Sequence, residues 1–102
     1  MYLAANSLDT WTWYSFTREN LLRVPNVAGV YCLGIGNDII YIGCSSDLFE
    51  RLKDHFYTDD PCIAQANQFA IYPCSDYMAE EHQRLLWHLR TYGRLPKCND
   101  RT

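Results

Sequence analysis

The sequence is short of the features that mark several large classes of protein. No apolar run approaches the ~18 residues needed to cross a bilayer. The opening residues, MYLAANSLDT, have neither the basic region nor the apolar region of a secretory signal. Positive charge is scarce: nine Lys and Arg stand against twelve Asp and Glu, for a net charge of −3. That balance argues against a protein that binds nucleic acid indiscriminately through charge. The five cysteines are odd in number and lack C-x-x-C spacing, so reduced thiols in a cytoplasmic protein are the expectation. A zinc site from Cys62, Cys74 and a histidine lacks the usual ligand spacing. Internal repeats, low-complexity segments and linkers are also missing. A chain of 102 residues with these absences is expected to form one domain, 1–102, that buries roughly 60–65% of its unfolded surface and has no membrane partner.

What charge there is lies unevenly. Asp47, Glu50, Asp54, Asp59 and Asp60 gather in the middle. Arg84, Arg90, Arg94, Lys97 and Arg101 load the C-terminal end, opposed there by Asp100. Such a strip is either a solvated helix face or a surface that meets phosphates.

Secondary structure follows from local patterning. Residues 11–16, WTWYSF, read as a short strand or an extended aromatic arm. Thr17 caps a short helix through Arg23 that Pro25 stops. Val27–Leu33 and Ile39–Cys44 are rich in Val, Ile and Tyr and read as strands, with Gly34, Gly36 and Asn37 supplying the turn. An odd connection sorts Val30 and Cys32 with Ile40 and Ile42 on one face. It leaves Tyr31 and Tyr41 as near cross-strand partners on the other.

Ser46 or Asp47 then caps a helix whose stripe is Leu48, Leu52 and Phe56, with Arg51 and His55 on its edge. Gln68–Pro73 reads as a third strand. A long helix runs from Ser75 or Asp76 to about Thr91 and ends at Gly93. Its predicted apolar stripe is Met78, Leu85, Leu89 and Tyr92. Glu81 lies ~60° off that stripe, Glu80 points to solvent, and Trp87 falls opposite.

Tyr31, Tyr41, Arg51, His55, Glu81 and Asn99 are the candidate site residues. In their spacing the chain resembles a GIY-YIG endonuclease domain. The first motif stands as Gly29-Val30-Tyr31, the second as Tyr41-Ile42-Gly43, and an arginine followed four residues on by a histidine as Arg51 and His55. The acidic helix residue stands as Glu81, and the closing P-x-x-N as Pro96-Lys97-Cys98-Asn99. The resemblance covers 27–99, leaving 1–26 as an N-terminal arm and short helix. It implies an α+β fold, a small three-stranded antiparallel sheet flanked by helices. It also implies metal-dependent hydrolysis of DNA phosphodiester bonds with one divalent cation, Mg²⁺ or Mn²⁺. Tyr31 would activate the attacking water, directly or through His55 as general base. Tyr41 would orient the water or the metal shell. Arg51 would stabilise charge on the phosphate, Glu81 (or Glu80) would hold the metal, and Asn99 would fix the neighbouring geometry.

These residue types suit that chemistry. A hard cation prefers carboxylate and water oxygens, and a site with one carboxylate should bind it weakly without DNA. A guanidinium matches phosphate oxygens bidentately, which lysine cannot do. A phenol is a poor base at neutral pH unless a partner helps it, whereas histidine is already suited to proton exchange. The partner is DNA, whether duplex, single-stranded or branched, and the chain is expected to act as a monomer or weak dimer. The competing expectations are a catalytically inactive binding module for DNA or protein, suggested by the acidic charge and by Trp87, and a nuclease that needs a partner. Stacking of the WTWYSF arm on unpaired bases competes with its packing on the core.

Overall fold

Alternation, a tight turn and well-placed caps build a four-stranded antiparallel sheet with helices on both faces. The computed structural model describes residues 11–99, so Asp100 and Arg101 of the basic tail lie outside the described residues. The elements are β1 (Tyr14–Ser15), α1 (Arg18–Leu21), β2 (Gly29–Ile35), β3 (Asp38–Ser45), α2 (Leu48–Phe56), a 3₁₀ turn (Ile63–Gln65), β4 (Gln68–Pro73) and α3 (Tyr77–Tyr92). Strand order is β1-β4-β2-β3. The fourth strand is β1, which pairs Tyr14 with Phe69 and Ser15 with Gln68. The aromatic arm thus adds one short strand to the three that were expected.

The hairpin turns at Gly36 and Asn37, both with positive φ (55° and 74°), a conformation open to glycine and tolerated by asparagine. Tyr31 pairs with Gly43 and Leu33 with Tyr41, and the register then shifts so that Gly34 pairs with Ile39. Ile40 is therefore an extra residue, a bulge. The bulge supplies the odd connection, and it corrects one assignment. Ile42 packs with Val30 and Cys32, but Ile40 joins the cluster around Tyr31 and Leu33 on the other face. The two tyrosines do share a face, as diagonal neighbours rather than direct partners.

Caps set the helices. Thr17 accepts from Asn20 N–H at 3.2 Å, and Asp47 accepts from Glu50 N–H at 3.2 Å while also holding the Asn26 amide. Glu50 does not reach back to close a capping box; it pairs with Lys53 at 3.1 Å. Leu48 and Leu52 of α2 are buried with Tyr31, Leu33 and Phe69 on one face of the sheet. Trp11, Trp13, Tyr77 and Leu85 close the other face over Val30, Cys32, Ile42 and Ala70.

The long helix α3 is rotated from its predicted phase. Met78, Leu89 and Tyr92 are 66%, 41% and 57% exposed, while Arg84 and His88 are buried. Polar groups occupy the buried stripe because specific partners hold them there, although Arg84 Nη1 has no hydrogen-bond partner among the described residues. The Arg84 guanidinium lies 4.3 Å from the Trp11 ring centre and 4.6 Å from that of Tyr72 and pairs with Glu80 at 2.8 Å. His88 donates from Nδ1 to the Arg94 carbonyl at 2.8 Å. Trp87 is half-buried and His82 is exposed.

Cysteine use also differs from expectation. Cys62 and Cys98 form a disulfide, whereas Cys32, Cys44 and Cys74 are free. The bond ties the segment after α3 to the turn before β4. Disulfides persist mainly in oxidising surroundings, so the expectation of reduced thiols fails at this pair. With the cysteines 36 positions apart in sequence, its loss is expected to lower stability by roughly 3–4 kcal/mol. Urea unfolding of the wild type with and without reductant, beside Cys62→Ser, measures this. No helix among the described residues is long and apolar enough to cross a membrane.

Candidate active site

Four of the six candidate side chains meet on the α2 face of the sheet. Tyr31 projects from the middle of β2 and is 1% exposed. Its ring centre lies 6.2 Å from that of Tyr41 and 5.4 Å from that of His55, and Tyr41 and His55 are 5.5 Å apart. The Tyr31 hydroxyl is 2.7 Å from His55 Nε2. Arg51, one turn earlier on α2, brings its exposed guanidinium beside the Tyr31 phenol.

Gly43 explains how a tyrosine lies so close to the edge strand. A Cβ there would stand 2.5 Å from the Tyr31 hydroxyl oxygen and 3.0 Å from Tyr41 Cε2. The phenol thus rests on bare backbone. The motif carried this signal, but no local rule gave a reason for a glycine at this position.

Electrostatics fix the protonation states. Burial, joined by the Arg51 charge, pushes His55 down to about 4, opposed by Asp54 and Asp60. His55 is therefore neutral at pH 7, with one ring nitrogen free to accept a proton. Burial and the neighbouring Tyr41 push the Tyr31 phenol above its ordinary range, against the pull of Arg51. Tyr31 is thus a protonated donor at neutral pH, not a phenolate. Folded His55 takes up its proton later than the unfolded chain, whose histidine titrates near ~6.5. The contribution of His55 to stability is complete above that value and is lost as pH falls toward about 4.

Asn99 lies at the outer edge of β3. Its Oδ1 accepts from Ile42 N–H at 2.8 Å and its Nδ2 donates to the Ile42 carbonyl at 2.9 Å. Cys98 N–H donates to the Ile40 carbonyl at 2.8 Å. The tail therefore pairs with the edge strand on either side of Tyr41, and the amide of Asn99 is spent on backbone.

Glu81 comes from the other side. It projects from the first half of α3, which covers the opposite face, and meets β3 at Cys44, one residue beyond Gly43. There burial, reinforced by the Glu81 charge, pushes the Cys44 thiol up to about 11. Glu80 is not the solvent-facing residue expected, because Arg84 holds it. Glu81 makes no ion pair among the described residues, so of the two acids it is the one available. Among the described residues no three His, Cys, Asp or Glu gather as a metal cage.

No family model and no curated protein sequence matches the chain. Solved structures do match. The GIY-YIG N-terminal endonuclease domain of UvrC from Thermotoga maritima, as a Tyr-to-Phe variant bound to its catalytic divalent cation, is similar with a TM-score of 0.62. The identity is 23%, and the match covers 82% of this chain and 94% of that one. The same domain bound to magnesium gives a TM-score of 0.60 at 20% identity, over 78% and 91% of the two chains. An Asn-to-Ala variant gives 0.59 at 21% identity, over 78% and 90%. The chain has the fold of that domain.

Proposed function

We propose that this chain, folded as a GIY-YIG endonuclease domain, hydrolyses DNA phosphodiester bonds with one divalent cation. The observation that carries the reading is the Tyr31 hydroxyl held 2.7 Å from a neutral His55 beside an arginine. The scissile phosphate sits at the edge of β3 near Gly43 and Cys44, where the phenols and Arg51 reach it from one face and Glu81 from the other.

The donor set fits a magnesium-like ion. Glu81, beside the Cys44 thiol, supplies one carboxylate with no ion pair among the described residues, and Mg²⁺ ordinarily binds through one or two carboxylates, with waters and substrate oxygens completing its shell. When bound, the ion would polarise the phosphate and offset the charge on the leaving oxygen. The magnesium-bound neighbour supports this choice.

The protein's own groups supply the proton path. Water gives a proton to the Tyr31 oxygen as the Tyr31 O–H proton passes to His55 Nε2. The resulting hydroxide attacks phosphorus, and the bond to the leaving oxygen breaks. Asp54 and Asp60 favour the imidazolium formed on His55. Arg51 faces the growing charge on the phosphate oxygens. Asn99 holds Ile42, and with it the flanking Tyr41 and Gly43.

Nicking of plasmid DNA in Mg²⁺, abolished by EDTA, tests the reading; a protein that nicks under no divalent metal contradicts it. The rate is expected to persist from about pH 8 to pH 5 and to fall with a midpoint near about 4, rather than near the ~6.5 of an ordinary histidine. A pH–rate profile on one oligonucleotide checks this.

A further inference from the structure

A cavity of about 490 Å³ opens at the turn end of β2 and β3, away from the phenols. Its size is in the range of small-ligand clefts. Trp11, Trp13 and Tyr92 line it, with Arg94, Lys97 and Asp38. We propose that this cleft holds an unpaired nucleotide of single-stranded DNA flanking the cut phosphate. The proposal rests on reading the chain as a DNA nuclease.

The walls are built in advance. Trp11 is held against the buried Arg84 guanidinium, which Glu80 anchors in turn. Trp13 lies on Gly34, where a Cβ would stand 2.8 Å from its indole. Both indoles are half-buried and Tyr92 is exposed. Aromatic surfaces of this kind stack on any base, because every base offers a π-face. A base within an intact duplex is already stacked and cannot enter such a recess; a splayed base can.

The charge of the cleft matches a phosphate-bearing ligand. Arg94 and Lys97 are exposed and make no ion pair among the described residues, although Lys97 reaches Gln65 Oε1 at 3.0 Å. Two cations face one carboxylate, Asp38, in a chain whose net charge is −3. The cleft is also continuous with the phosphate site. Ile39 and Ile40 line it, Tyr41 to Gly43 follow on the same strand, and Pro96 and Lys97 lead directly to Asn99. From Ile39 to Gly43 a strand advances roughly 13 Å, a few nucleotides of DNA. One DNA strand running over the tail that covers the β3 edge at Ile40 and Ile42 would therefore reach both.

The test is binding of a labelled oligothymidylate and of a blunt duplex to the full chain in EDTA, where nothing is cut. Trp11→Ala is expected to weaken single-strand binding roughly tenfold and to leave duplex binding unchanged. Trp11 supports packing as well, so a second variant confined to exposed cations is needed. Arg94→Ala/Lys97→Ala should reduce the slope of log K against log salt by about 1.4 for single strands. Unchanged single-strand affinity and slope in both variants overturns the proposal, as does an equal loss for duplex. Wild type that binds single strands through the cleft but cuts nothing in Mg²⁺ refutes the nuclease reading and keeps the cleft. Cleavage with cleft variants that bind as wild type does the reverse.

Discussion

Replacing Tyr31 by phenylalanine is expected to lower the DNA cleavage rate roughly 10²–10³-fold while the fold and metal-free DNA binding persist. The substitution removes one oxygen from a side chain that is almost wholly enclosed. The ring still fills its place among Leu33, Leu48 and Leu52, so packing changes little. What is lost is the only step between the water and His55 Nε2. His55 would remain neutral, but with the donor 2.7 Å away gone it has no proton to receive. Its half-buried ring nitrogen also loses a partner, a stability cost of about 1–3 kcal/mol at most. Single-turnover cleavage beside urea unfolding separates the two effects. A Tyr31→Phe protein that cuts at the wild-type rate would show that the phenol serves packing alone.

Gly43→Ala is expected to do comparable damage by a different route. A methyl group at this position would stand 2.5 Å from the Tyr31 hydroxyl oxygen and 2.6 Å from Tyr31 Cζ, so the ring must move. Tyr31 is hemmed in by the core and cannot move without disturbing Leu48 or Leu52. Overpacking of this kind costs roughly 1–3 kcal/mol. A phenol displaced by an ångström from His55 would cost about 10²-fold in rate, beyond any change in folded fraction. Gly36→Asn is the matched control. Gly36 has a positive φ that asparagine tolerates, and nothing lies within 4 Å of a Cβ there. Its cleavage rate and urea midpoint should stay close to wild type. Wild-type cleavage by Gly43→Ala would mean that the ring need not rest on the edge strand.

Much of the phenol cluster was legible because it depends on local rules. Strand alternation placed Tyr31 and Tyr41 on one face, and the Gly36-Asn37 turn closed the hairpin. The caps at Thr17 and Asp47 and the Leu48–Leu52 stripe came from spacing alone. The failures share a cause, since each depends on contacts distant in sequence. Arg84 and His88 are buried because Glu80, Trp11, Tyr72 and the Arg94 carbonyl hold them there, even though Arg84 Nη1 stays without a hydrogen-bond partner among the described residues. A reading that treats charge as exposed therefore put Met78, Leu89 and Tyr92 on the wrong side of α3. The Ile40 bulge is invisible to a count that assumes regular pairing. The Cys62–Cys98 pairing depends on the turn before β4 meeting the tail, which no spacing rule encodes. Glu81 was named from the motif; its position against Cys44, on the face opposite the phenols, required the fold.

The most direct measurement is the Mg²⁺-dependent cleavage rate of wild type, Tyr31→Phe, Glu81→Gln and the double variant on one DNA substrate, with EDTA controls. If both faces of β3 serve a single phosphate, each single variant loses about 10²–10³-fold, and the double loses little more than the worse of the two. Glu81→Gln cutting at the wild-type rate, or a double variant whose loss is the product of the two single losses, would mean that the acid and the phenol do not act together.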